Sequence, residues 1–160
     1  IRKCASLSWR EALWGYEHQL IGWSDVVDLA VDRLRSDSDE REIELSCLNK
    51  SNTSRIGELL RELAASEPEK LGLMSAKKWL FLVLAWTLDN KDRADDPLAE
   101  VETIYADFDY PDEIESFVRY MPMTDGYDPS QHSRKDNENR LFENWRKYLD
   151  VARHEVGVIS

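Results

Sequence analysis

Residues 79–86 read Trp-Leu-Phe-Leu-Val-Leu-Ala-Trp, a run that is apolar at every position. A helix without a polar face belongs in the interior of a fold. Eight residues fall far short of the about 20 needed to cross a bilayer, so the run predicts a core helix rather than a membrane span. Lys77 and Lys78 precede it and Asp89, Asn90 and Lys91 follow, which places both ends near water. The rest of the chain is expected to pack around a buried helix at about 75–89.

The other segments carry helical spacing. Ser8 and Glu11 form a capping-box pattern, and Trp9, Ala12, Leu13, Tyr16 and Leu20 follow at helical intervals, predicting a helix over about 9–20. Gly22 and Trp23 break it. Ser24 and Asp25 are candidate caps for a second helix ending near Arg35, with Val26, Val27, Leu29, Ala30, Val31 and Leu34 on its apolar face. A third, over about 39–48, carries Ile43, Cys47 and Leu48, and a fourth, over about 53–65, carries Ile56, Leu59, Leu60 and Leu63. Beyond the central run, Asp96 is a capping carboxylate followed by Pro97 at the first helical position, where a missing N–H costs nothing. Leu98, Val101, Ile104, Tyr105 and Phe108 are its buried stripe. A further helix is expected from Pro111, turning Ile114, Phe117, Val118 and Met121 inward until Pro122 ends it. Residues 122–132 read as a turn-rich loop. Ser133 then caps a long last helix bearing Leu141, Trp145, Tyr148, Leu149 and Ala152. A short strand at 156–159 is the only β expectation. These patterns predict an all-α, single-domain bundle over 1–160, with about seven to eight helices in αα-hairpin layers around the central one.

Six glycines and five prolines among 160 residues suit that helical reading. Cys4 and Cys47 lack metal-type spacing and are expected as reduced thiols, small hydrophobes in or near the core. No leader-type segment or low-complexity tract stands out, which predicts a cytoplasmic protein. The net charge of -11 disfavours nucleic acid and anionic membrane as partners and favours basic ones.

That charge is not spread evenly. Residues 1–94 are net -2 and residues 129–160 net +1, whereas 95–128 carry 11 acids against Arg119 alone, net -10. The apolar stripes of the helices predicted there force the carboxylates to the opposite side. Like charges about 4 Å apart repel by roughly 4 kcal/mol at the effective dielectric of a protein surface, so such a cluster calls for answering bases. They could be internal, from Arg134, Lys135, Arg140, Arg146 and Lys147, or they could belong to a basic partner steered in by the field. On the second reading the partner-binding candidates are Glu102, Asp107, Asp109, Tyr110, Asp112, Glu113, Asp125, Tyr127 and Asp128, aromatic residues set among acids.

No catalytic motif is evident. The stretch 107–113 fails the calcium-loop template, lacking the glycine at the sharp turn and carrying a proline. His18, His132 and His154 are isolated, and neither a phosphate loop nor a nucleophile elbow is present. The chain is therefore expected to be no enzyme, with no cofactor and no metal. A hydrolase using Asp107, Asp109, Asp112 and His132 remains the least favoured alternative.

Asp96-Pro97-Leu98, the run 104–111, Ser116-Phe117-Val118-Arg119-Tyr120-Met121-Pro122 and Asp125-Gly126-Tyr127-Asp128-Pro129 together resemble a bacterial domain-of-unknown-function family of small helical proteins. Lys78-Trp79-Leu80 and the run 23–27 fit as well, so the resemblance spans most of the chain. The family supplies no catalytic residues. It implies a bacterial cytosolic protein similar to the immunity partners of toxins. The resulting expectation is an immunity-type protein that occludes a basic toxin domain, of nuclease type, through its acidic surface. A helical regulatory module with no toxin partner is the alternative.

Overall fold

The computed structural model describes residues 7–157 and is all-α, with seven α-helices, several short 3₁₀ turns and no strand among those residues. Contacts cluster into two compact units, residues 2–76 and 77–160. Cys4 lies outside the described residues, as does the end of the strand expected at 156–159. Val156 instead caps the last helix, and Gly157 takes a left-handed φ of 67°.

In residues 2–76, α1 (Trp9–Glu17) starts with the expected capping box: the Ser8 hydroxyl accepts from the Glu11 amide at 3.1 Å, and the Glu11 carboxylate accepts from the Ser8 amide at 2.7 Å. The helix ends before residue 20 because Gln19 turns left-handed (φ 59°) and the Leu20 amide donates back to the Gly15 carbonyl. α2 (Trp23–Arg33) is capped by Gly22, whose amide donates to the Asp25 carboxylate at 2.9 Å, so Asp25 works from inside the first turn. α3 (Glu40–Ser46) has a different register from the expected one: Leu45 and Leu48 are buried, Ile43 and Cys47 exposed. Residues two apart point about 200° around a helix. Facing Leu45 inward therefore turns both Ile43 and Cys47 out.

α4 (Ile56–Ser66) buries Ile56, Leu59, Leu60 and Leu63, as its spacing predicts. It packs on α1 and α3, while α2 packs on α3. Arg10 ties α1 to the end of α4: its Nε and Nη2 donate to the Glu67 carbonyl at 3.0 and 2.8 Å.

α5 (Ser75–Asp89) carries the apolar run, and the boundary between the units falls in its first turn. Trp79, Leu80, Phe81, Leu82 and Leu84 are buried, which is the pattern of a core helix, although Glu69–Asp89 is long and apolar enough by length and composition to cross a membrane. Its two ends depart from expectation. Lys78 is buried rather than near water, and Trp86 is 47% exposed rather than in the core. Trp86 sits two turns beyond Trp79 on the same stripe, where the helix runs out toward Asp89 and Asn90.

In residues 77–160, α6 (Pro97–Asp107) has the expected start, with the Asp96 carboxylate accepting from the Ala99 amide at 3.1 Å. The helix predicted from Pro111 is instead a six-residue 3₁₀ turn, Asp112–Phe117, after which Val118 is extended. In a 3₁₀ turn residues i and i+3 eclipse, so Ile114 and Phe117 bury side by side. α7 (Arg134–Glu155) is capped by Ser133 and buries Leu141, Trp145, Leu149 and Ala152, with Tyr148 half-buried. It packs along that 3₁₀ turn: Phe117 stacks on Trp145 with ring centroids 6.0 Å apart, and Asn144 Nδ2 donates to the Ser116 carbonyl at 2.9 Å.

Candidate functional site

The nine residues singled out from sequence all lie in the 77–160 unit, and the structure sorts them by whether a base answers them. At the start of α6, Arg119 reaches two acids at once, Asp96 at 2.7 Å through Nη1 and Glu102 at 2.7 Å through Nε. The Arg119 bond holds the Asp96 carboxyl below the usual carboxylate range, and the two carboxylates push the Arg119 guanidinium higher. Glu102 is half-buried in this cluster. In the 122–132 loop, Asp125 pairs with Arg140. Its carboxyl is lowered chiefly by the Tyr127 amide, then by Arg140. Asp128 caps the 3₁₀ turn Pro129–Gln131 and is lowered chiefly by Ser130. Glu113 accepts from the Tyr148 hydroxyl at 3.1 Å and lies 4.0 Å from Lys77, whose nearer partner is Glu155 at 2.6 Å.

Tyr127 is half-buried rather than freely presented. Arg140 lies over one ring at 4.2 Å, His132 stacks on the same ring at 4.5 Å, and the hydroxyl donates to Asn137. His132 is thereby engaged with Tyr127 rather than with the carboxylates of 107–112. Among the described residues no group of three or more His, Cys, Asp and Glu side chains converges in a way that could hold a metal ion.

Asp107, Asp109 and Asp112 remain. All three are exposed and, among the described residues, none has an ion-pair partner. The turn that carries them is strained. Asp109 and Tyr110 are consecutive left-handed residues, φ 60° and 57°, and the Tyr110 amide donates to the Tyr105 carbonyl at 2.9 Å to close the end of α6. Left-handed backbone costs an L-residue roughly 1–2 kcal/mol, with aspartate the more tolerant of the two. α6 also ends without a base in its last turn, so Asp107 and Asp109 sit at the negative end of its dipole. Asp112 is different, for it opens the following 3₁₀ turn, where free N–H groups favour an acid.

The strained turn throws Tyr110 outward. Its ring is 57% exposed and stands edge-on to Tyr105 at 5.2 Å. Tyr120, 60% exposed, lies 6.2 Å from Tyr105, so two accessible tyrosines share one buried neighbour. Tyr105 is fixed in place by its hydroxyl, which donates to Glu115 at 3.0 Å. Burial first and Glu115 second push that hydroxyl up to about 12. Tyr120 is interleaved with the acids in sequence but was not among the nine candidates; the helix expected to run to Pro122 stops as a 3₁₀ turn at Phe117, and Tyr120 is left exposed. Arg119 stood out in sequence as the one base among those acids, whereas the role of Lys77, far from Glu113 in sequence, was hidden.

The candidate site is thus the surface turn that follows α6. It offers exposed carboxylates beside exposed aromatic rings, which suits contact with a cation-bearing surface. Neither a curated protein nor a solved structure matches the chain. The family described as an uncharacterized protein conserved in bacteria, DUF2247, matches residues 1–153, and the chain belongs to that family.

Proposed function

We propose that this protein is a non-catalytic, immunity-type inhibitor that acts in the bacterial cytoplasm by docking a basic toxin domain, of nuclease type, on the acidic turn after α6. One observation carries the reading: Asp107, Asp109 and Asp112 stand exposed with no ion-pair partner among the described residues, on a backbone strained at Asp109 and Tyr110. Strain and unanswered charge both lower stability, and such features persist where a partner interaction offsets them. Occlusion needs only complementarity, so no chemistry is asked of this chain. The experiment is co-expression with the product of the neighbouring reading frame. Wild-type protein relieves its toxicity, and a variant with Asp107, Asp109 and Asp112 all changed to Asn does not, although it folds. Equal protection by that variant would reject the acidic turn as the docking surface.

A second reading, a regulatory module with an apolar dock, is favoured by a different feature. Leu73 is 79% exposed, with Leu71 and Met74 exposed beside it in the 2–76 unit. Salt separates the two, because a partner held by exposed charge weakens as ionic strength rises, and one held by leucines does not.

A further inference from the structure

The 77–160 unit also holds a groove of about 500 Å³ between the 3₁₀ turn Asp112–Phe117, the loop after it and the outer face of α7. Along α7 it is lined by Arg140, Asn144, Lys147, Tyr148 and Val151, which recur at helical spacing over about 16 Å. Its two ends differ in charge. At one end Asp112, Glu113 and Glu115 come within four residues of one another, with the Tyr148 hydroxyl bonded to Glu113. Lys77 offsets part of the Glu113 charge from 4.0 Å. At the other end Arg140 is occupied by Asp125. Between them Lys147, Ser116 and Thr124 have no side-chain partner among the described residues, and Met123, Pro122 and Val151 give the lining an apolar component.

We infer that this groove receives a basic side chain of the partner, an arginine or lysine on an extended segment, its aliphatic stem on Val151 and Tyr148 and its cation at Asp112, Glu113 and Glu115. Long cationic side chains match such a site because the stem is apolar and only the head is charged. The flanking peptide meets Ser116, Thr124 and Lys147, whose open donors and acceptors suit backbone groups. The assignment rests on the proposed basic partner and adds which part of it enters and where.

The test uses the full chain labelled with ¹⁵N and an acetylated, amidated tri-arginine peptide, followed by amide shifts. Expected are saturable shifts at Ser116, Thr124, Lys147 and the Asn144 side-chain amide. Tri-glutamate should give none. Val151→Trp, at a side chain 61% exposed, fills the groove and weakens tri-arginine at least tenfold. Thr124→Trp at the opposite wall does the same and guards against an unfolded first variant. Shifts confined to residues 107–112, and unchanged by either tryptophan, would overturn the groove while leaving the acidic turn in place. Absence of shifts at both places would overturn the groove and the basic-partner reading together.

Discussion

The two ends of α6 carry similar numbers of carboxylates and treat them in opposite ways. At its start, Asp96 caps the helix, faces the positive end of the dipole and shares Arg119 with Glu102. At its finish, Asp107 and Asp109 face the negative end, Asp109 and Tyr110 are left-handed, and no base answers them among the described residues. The first end matches its acids to the helix dipole and to a base, and the second does neither. Stability explains the first, whereas the second lowers stability, which is why the proposed docking surface is placed there.

The largest expected effect falls on binding. Changing Asp107, Asp109 and Asp112 together to Asn should weaken the complex with a basic partner by about 100-fold, which is about 2.7 kcal/mol. Calorimetry at low salt reads this directly, and the thermal midpoint of the free protein should hold or rise. A falling midpoint would mean that those acids serve the fold.

Next is Arg119→Met at the start of α6, which removes two solvent-accessible ion pairs and should cost about 1 kcal/mol by denaturant titration. Asp109→Gly removes the left-handed penalty and should stabilise by about 1 kcal/mol, raising the midpoint by about 2–4 °C. A destabilised Gly variant would show that Asp109 has a structural role after all.

The smallest effect is in acid. The folded Asp96 carboxyl is depressed by Arg119 below its ordinary value of 3.8. Its contribution is therefore complete above about pH 4 and is lost as pH falls through the lower folded value. Arg119→Met should remove this part of the acid sensitivity, and a stability curve from pH 5 to pH 2 for both proteins checks it.

Local signals were legible and long-range ones were not. The caps at Ser8, Asp96 and Ser133 and the stripe of α4 follow from residues three or four apart, and each formed as read. The register of α3 was not legible, because Ile43 and Leu45 compete for one face and only neighbouring helices decide between them. The helix expected after Pro111 became a 3₁₀ turn, since packing Ile114 and Phe117 against α7 mattered more than extending the helical ladder. For the candidate site, the acidic segment was visible as a count of charges. Which acids stay unanswered depended on Arg119, Arg140 and Lys77, which meet them from 15 or more residues away.

The sequence alone determined an all-α chain, the position of its apolar helix and the concentration of negative charge in residues 95–128, because periodicity, capping and charge are properties of near neighbours. Only the tertiary structure decided that Glu102, Glu113 and Asp125 are partnered while Asp107, Asp109 and Asp112 are left to solvent on a strained turn. Ion pairs and exposure are set by what folding brings together across the chain, and neither is encoded in spacing.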